Sequence, residues 1–106
     1  MFKLEYYVPT EDAATVNDAL FRAGVGRIGL YDSCCFMTEG TGQFRPLEGS
    51  NPHLGQTATL ERVAETKVEM VLPDELVPEV HRIMHEVHPY ETPAYQLWRV
   101  EGAPSR

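Results

Sequence analysis

The sequence predicts a single α+β domain with a ferredoxin-like order of elements, β-α-β-β-α-β. Four stretches alternate apolar and polar residues as half-buried strands do, and two others repeat apolar residues at helical spacing. Right-handed crossovers then place both helices on one face of a four-stranded antiparallel sheet. The length of 106 residues fits one domain and no linker divides it, so we expect a single domain over residues 1–106.

The first strand and the first helix have clear sequence signals. Residues 2–8 alternate apolar and polar side chains, and Pro9 ends the strand. Thr10 stands where a helix N-cap is expected, and Gly24 stands where the helix should end. The apolar stripe between them predicts a helix that packs on the sheet, and it consists of Ala13, Val16, Leu20 and Ala23.

The second strand and the stretch after it are less regular. Residues 30–39 are typical of a strand, whereas residues 40–56 contain four glycines and two prolines and predict a long loop or a hairpin extension. Cys34 and Cys35 are adjacent within the predicted strand. Because neighbours on a strand point to opposite faces, we expect reduced thiols in the core and no mutual disulfide.

The second half of the chain repeats the succession of strand, helix and strand. Residues 60–73 alternate apolar with mostly acidic residues, which predicts a third strand. A helix follows from Pro73, tolerates Pro78 near its first turn, and ends at or just before His88, which precedes a proline. Residues 94–101 form the fourth strand. The stripe predicted for the second helix contains Leu76, Val80, Ile83, Met84 and Val87.

The sheet face opposite the helices is predicted to be partly apolar. It would carry Tyr7, Val63 and Val71, with either Tyr95 and Leu97 or Trp98 and Val100 from the last strand. A contiguous apolar patch is unusual on a monomer, so we expect subunits to meet through this face. The alternative is a twisted sheet whose rim residues are singly exposed.

The charge balance excludes some classes of partner. The chain has 9 Lys and Arg residues against 16 Asp and Glu residues, a net charge of −7. Phosphate-binding surfaces need a basic surplus, so we expect neither a nucleic-acid partner nor an anionic membrane surface. With no long apolar segment and no signal-like start, the sequence predicts a cytoplasmic protein.

The stretch GTGQFRP is the first candidate site. Its pattern matches no phosphate-binding glycine motif, and Arg45 is its single cation, with His53 as a second cation further along. A structural hairpin and a ligand or interface role therefore stay open beside a phosphate site. The candidate residues are Gly40, Gly42, Phe44, Arg45 and Pro46.

The stretch HPYE and three glutamates of the third strand form the second candidate site. Pro89 fixes a turn and Tyr90 can pack, while His88 and Glu91 can bond each other or hold a ligand. Carboxylates on one strand face can divide acid and base roles if one is desolvated, although a charged exterior is the commoner outcome. The three glutamates are Glu61, Glu65 and Glu69.

Histidines suggest a metal site as a weaker alternative. His81 and His85 stand four residues apart on the second helix, with His88 near the same line. Two imidazoles at this spacing can chelate a transition metal, but a complete site needs further ligands. Solvated or capping histidines are the default interpretation.

Several motifs together resemble those of one family. They are GTGQFRP with Gly49, Pro52 and Gly55 after it, the glutamates within LERVAETKVE, and HPYE before the last strand. This pattern resembles the domain inserted in YqfO proteins, the Nif-three-like family, from YYVP to the final strand. That domain is similar to the PII and CutA proteins, which are ferredoxin-like units that form trimers.

The resemblance implies a binding module and no enzyme. The family's two-metal site belongs to other domains, which these 106 residues do not contain. We therefore expect a regulatory homotrimer without a cofactor that binds a small molecule or a protein. GTGQFRP would meet HPYE and the strand glutamates, with Arg45 paired to Glu65, Glu69 or Glu91. Divalent-metal handling is the alternative, and a hydrolase on the acidic strand face has the least support.

Overall fold

The structure is a computed structural model that describes residues 1–102 of the chain. The order β-α-β-β-α-β is confirmed, with a short 3-10 turn before each helix. The elements are β1 (Phe2–Pro9), a 3-10 turn (Thr10–Asp12), α1 (Ala13–Ala23), β2 (Phe36–Phe44), β3 (Glu61–Leu72), a 3-10 turn (Asp74–Leu76), α2 (Val77–Glu86) and β4 (Tyr95–Arg99).

The four strands form one antiparallel sheet in the order β2-β3-β1-β4. In the centre, Tyr6 of β1 lies opposite Val68 of β3 and Tyr95 of β4. Both helices pack on the face that carries Tyr6, and they contact each other. The ferredoxin-like α+β fold class is therefore correct.

The core contains the side chains that alternation and helical spacing select. Full burial of one such aliphatic side chain contributes about 1.5–3 kcal/mol. The one buried hydroxyl among them, that of Tyr6, is satisfied because it donates to the side-chain oxygen of Asn17. The buried set is Leu4, Tyr6, Val8, Ala13, Val16, Leu20, Val25, Val68, Met70, Leu72, Val80, Ile83 and Met84.

The prediction was correct for the C-terminal end of α1 and wrong for its N-cap. Gly24 adopts the left-handed conformation (φ 103°) and ends the helix as predicted. Thr10 is not the N-cap, because a 3-10 turn intervenes and moves the start of α1 to Ala13. The Thr10 hydroxyl instead accepts a hydrogen bond from the Thr66 hydroxyl of β3 at 3.1 Å.

The predicted position of the second strand was wrong. The strand covers Phe36–Phe44, so Gly40 and Gly42 lie inside β2, opposite Glu65 and Val63. β3 continues past the end of β1, and β2 supplies the backbone partner for that extension. The loop is therefore limited to residues 45–60, which we call the covering loop. Cys34 and Cys35 precede the strand and are unbridged and half-buried.

The open face of the sheet carries ion pairs among its apolar residues. Lys3 pairs with Glu69 at 2.7 Å, and Lys67 pairs with Glu5 at 3.3 Å. Tyr95 and Leu97 pack against the core, whereas Trp98 lies opposite Lys3, whose ammonium is 5.7 Å from the Trp98 ring centroid. Tyr7, Val63, Val71 and Trp98 lie on this face as predicted, but the two ion pairs occupy its middle, so the apolar patch is not contiguous.

Exposed apolar side chains concentrate at the outer edge of the sheet instead. We call this surface the apolar edge, and it belongs to β2 and the segment before it. The apolar edge consists of Ile28, Leu30, Tyr31, Phe36 and Met37.

Within residues 1–102, no helix has the length and apolar character needed to cross a bilayer.

Candidate functional site

Two of the predicted motifs meet at one end of the sheet. There the paired strands β2 and β3 extend beyond β1, and the covering loop and the turn after α2 close around them. A half-open cavity of about 260 Å³ lies between these segments, and we call it the hairpin cavity. It is lined by Gln43, Phe44, Pro46, Ser50, Pro52, His53, Leu54, Glu65, Tyr90, Glu91, Thr92 and Ala94.

Tyr90 is the residue that joins the two motifs. Its hydroxyl donates to Oε2 of Glu65 at 2.7 Å. Its ring centroid lies 6.0 Å from that of Phe44 and 6.2 Å from that of His53, with tilted planes. Burial, and then the hydrogen bond to Glu65, raises the pKa of Tyr90, so the phenol stays protonated and remains a donor.

Gly42 allows the Glu65 side chain to lie where it does. A Cβ atom at position 42 would overlap the Glu65 carboxyl group, so any larger residue would displace that side chain. At Gly40 a Cβ atom would meet nothing within 4 Å. Only one of the two glycines of the GTG motif is therefore required by packing.

His88 lies beneath the cavity wall and is 5% exposed. Its Nδ1 accepts the backbone N–H of Tyr90 at 3.1 Å, and Nε2 lies 2.7 Å from the carbonyl oxygen of Tyr7. A nitrogen that accepts an N–H carries no proton, so these contacts require the neutral tautomer with its proton on Nε2. Burial lowers the pKa of His88, against the opposing effect of the Tyr7 carbonyl.

Glu91 connects the covering loop to the turn after α2. Its two carboxylate oxygens lie 3.1 and 3.3 Å from the backbone N–H of Asn51, which donates to them. At the root of the same loop, the buried Pro46 accepts the N–H of Ala58 at 2.6 Å. Pro89 is half-buried in the turn between His88 and Tyr90. These contacts fix the loop over the cavity.

The structure does not bring Arg45 and Glu69 into this site. Arg45 is exposed and takes part in none of the ion pairs found among residues 1–102. Each of its expected partners is engaged elsewhere: Glu65 by Tyr90, Glu69 by Lys3, and Glu91 by Asn51. The predicted ion pair is therefore absent within the protomer.

The three histidines proposed for a metal site do not converge. His81 is exposed and its Nδ1 lies 2.7 Å from the Tyr95 hydroxyl, while His85 is exposed on α2. His88 is buried beyond the end of the helix and faces Tyr7 instead. In the described part of the chain, no three His, Cys, Asp or Glu side chains are placed to share a metal ion.

Several lining residues were missed by the sequence interpretation. Leu54 reaches the cavity because the covering loop folds over the hairpin, and Thr92 and Ala94 reach it because the segment between α2 and β4 passes beside it. Their residue types carry no signal of a site, since a leucine in a loop and a threonine in a turn are common. Pro52 was noted as a motif residue but was given no position in the site.

No family model matches the chain. Two curated relatives, from Mycobacterium leprae and Bacillus subtilis, are both named GTP cyclohydrolase 1 type 2 homolog. They are 44% identical over 98 residues and 43% identical over 103 residues. These alignments cover 92% and 97% of this chain but 26% and 28% of the relatives. The chain therefore spans about a quarter of the length of these curated relatives.

A crystal structure of a Bacillus cereus protein related to NIF3 superposes with a TM-score of 0.80 at 39% identity, covering 95% of this chain and 26% of that one. The resemblance to the YqfO, Nif-three-like family is confirmed. What this chain shares with its Nif-three-like relatives is one segment, about a quarter of each. Pyrococcus horikoshii CutA1 superposes with a TM-score of 0.69 at 20% identity, over 98% of this chain and 87% of its own, and shows the shared fold.

Proposed function

We propose that this chain is a non-catalytic, PII- and CutA-like regulatory module that binds a small molecule in the hairpin cavity. The observation that carries the proposal is the meeting of two distant motifs, in which Phe44 and Tyr90 form one wall and Glu91 fixes the covering loop. Pockets for drug-sized ligands measure roughly 300–1,000 Å³, so a cavity of about 260 Å³ fits a smaller molecule.

The hydrogen bonds of the ionisable groups support a binding role over catalysis. Glu65 holds the Tyr90 hydroxyl, and Glu91 holds the backbone of the covering loop. His88 uses both ring nitrogens on backbone groups and lies beneath the wall. A general acid or base needs a free donor or acceptor directed at the substrate. Glu91 and His88 have both of their polar atoms engaged in holding the cavity walls, and Glu65 keeps one oxygen without a hydrogen bond to the described residues.

The relation to longer proteins supports a regulatory position for the module. The relatives carry the name GTP cyclohydrolase 1 type 2 homolog, and this chain matches only 26–28% of their length. Under this proposal, any activity of such proteins belongs to their other segments, and the part matched here reports ligand binding to them.

A fragment screen followed by NMR tests the proposal. Ligands should shift the backbone amide signals of Ser50, Thr92 and Ala94, which line the cavity, in the ¹⁵N-labelled protein. Phe44→Ala should abolish these shifts because it removes one wall. Leu47→Ala is the control, since Leu47 is 63% exposed, does not line the cavity and does not belong to the apolar edge. Hits that move only other amides, or that survive Phe44→Ala, would contradict a ligand site here.

A homo-oligomer, formed as a trimer, is the second part of the proposal. β2 is an edge strand with one side of its backbone unpaired, and the apolar edge lies along it. Exposed edges of this kind favour pairing with another chain, and a second copy is the simplest complementary surface. The charged open face, by contrast, gives little support to the subunit contact predicted there.

We also propose a cytoplasmic location. Cys34 and Cys35 are both unbridged. Free thiols persist where the compartment is reducing, which supports this location over an oxidising one.

A further inference from the structure

The rings around Tyr90 are arranged for contact with a cation. The planes of Phe44 and His53 are tilted by 57° and 55° to that of Tyr90, with centroid distances of 6.0 and 6.2 Å. At these distances Phe44 and His53 each pack against Tyr90, and all three residues line the hairpin cavity, so this part of its wall is aromatic. Angled aromatic groups of this kind recognise quaternary and methylated ammonium groups through cation–π attraction.

The charges of the cavity wall favour the same class of ligand. Glu65 and Glu91 place two carboxylates on the wall, and no Lys or Arg is among the residues that line it. Glu65 accepts the Tyr90 hydroxyl through Oε2, so its Oε1 makes no hydrogen bond to the described residues. The wall also contains His53 and the Tyr90 phenol. The whole chain carries a net charge of −7, which attracts cations and repels phosphates.

The apolar part of the wall distinguishes an organic cation from a metal ion. Pro46, Pro52, Leu54 and Ala94 lie beside the rings. In the described part of the chain no three metal-ligating side chains converge on this wall, whereas an alkylated nitrogen can bury its carbon groups against such an apolar surface. We propose that the hairpin cavity binds a small alkylammonium ion, with Phe44 and Tyr90 against its alkyl groups and Glu65 balancing its charge. This inference rests on the proposed ligand-binding function.

A pair of probes of equal shape tests the inference. Choline carries the charged nitrogen, and 3,3-dimethylbutan-1-ol has a carbon atom in its place. Titration of the full chain, followed through the amide signals of Thr92 and Ala94, should show choline binding about tenfold or more tightly than the neutral alcohol.

Variants then assign the effect to named groups. Glu65→Gln should weaken choline binding about tenfold and leave the affinity for the alcohol nearly unchanged, since the amide oxygen can still accept the Tyr90 hydroxyl. Phe44→Leu should weaken choline more than the alcohol because it removes a ring but keeps an apolar wall. Glu48→Gln is the control, since it removes one negative charge from an exposed loop position outside the cavity. A thermal melt of each variant verifies folding.

The outcomes separate this inference from the function on which it rests. Equal affinity for both probes would overturn the preference for a cation but leave a ligand cavity in place. Binding of neither probe would also overturn the inference, while the fragment screen would still decide whether the cavity takes any ligand. Choline binding that Glu65→Gln and Phe44→Leu leave unchanged would place the cation elsewhere and refute the site.

Discussion

His88 shows how one buried side chain holds two segments together. It accepts the Tyr90 N–H and donates to the Tyr7 carbonyl, and thereby joins the HPYE turn to the central strand β1. The bond from Tyr90 requires the neutral ring, because a protonated Nδ1 cannot accept. The sequence indicated that this histidine mattered but suggested a ligand or metal contact, and only the fold showed that it faces backbone groups.

Stability should therefore depend on pH through His88. Its pKa is lowered in the folded protein from an ordinary value of about 6.5, although the Glu65 and Asp12 carboxylates act in the opposite direction. A lowered pKa means that the unfolded chain binds the proton first as pH falls. The free energy of unfolding contributed by this group is thus full above about pH 6.5 and is lost as pH falls through the folded-state pKa.

Urea unfolding at about pH 7.5 and about pH 5.5 measures this effect, because the two values bracket the ordinary pKa. The wild type should lose more stability between the two values than His88→Gln, which cannot titrate. The exposed histidines are common to both proteins and cancel in the comparison. An equal loss in both would refute the assignment. At the higher pH, His88→Gln should itself be less stable by about 1–3 kcal/mol, since buried backbone groups lose well-aligned partners.

The β2–β3 hairpin is the element that builds the site. Its two strands pair over nine positions, from Phe36 opposite Glu69 to Phe44 opposite Glu61, and the outer part extends beyond β1. This extension places Phe44 and Glu65 under the covering loop. The glycines in β2 were taken as signs of a loop because glycine is unfavourable in a strand. Gly42 is tolerated in β2 because Glu65 fills the space above it.

Alanine at the two strand glycines should therefore have opposite effects. In Gly42→Ala the new methyl group displaces Glu65 from Tyr90, and the loss of a hydrogen bond to a charged group costs about 1.5–3 kcal/mol. The gain from replacing a strand glycine, about 0.5–1 kcal/mol, offsets part of this. Gly40→Ala meets nothing within 4 Å and should be neutral or slightly stabilising. Urea unfolding gives both values, and equal effects at the two positions would show that Glu65 is not held by packing.

In the whole molecule, two neighbouring surfaces differ in their exposed residues: the open face of the sheet and the apolar edge. The open face of the sheet is covered by the Lys3–Glu69 and Lys67–Glu5 pairs. The apolar edge borders these pairs, because Phe36 is opposite Glu69 at 69% exposure, while Met37 is opposite Val68 at 53% exposure. If subunits assemble through this edge, the hairpin cavity is still formed by one subunit, because none of the five edge residues lines it.

Light scattering tests whether the apolar edge forms the subunit contact. The wild type should have the mass of three chains, and Phe36→Glu should reduce it toward the 12.0 kDa of one chain, because a charge at the edge opposes burial. Leu47→Glu is the control, since Leu47 is similarly exposed at 63% but lies in the covering loop. A wild type of 12.0 kDa, or a Phe36→Glu mass equal to that of the wild type, would contradict this contact.

Local sequence patterns predicted the order of the elements and most of the core. Alternation selected Leu4, Tyr6 and Val8, helical spacing selected Val16 and Leu20, and Gly24 marked a helix end, because these signals act between neighbours along the chain. It also identified GTGQFRP and HPYE as the unusual stretches, and members of both line the hairpin cavity.

Which members of those stretches form the site depends on the folded arrangement of the chain. Phe44, Pro46, Tyr90 and Glu91 line the cavity, whereas Arg45 points to solvent, although its charge made it the most conspicuous residue of its motif. The choice depends on how far β2 and β3 extend beyond β1 and on where the covering loop closes. Both are set by pairing and packing between segments that are distant in sequence. A local pattern of residues cannot predict such long-range contacts.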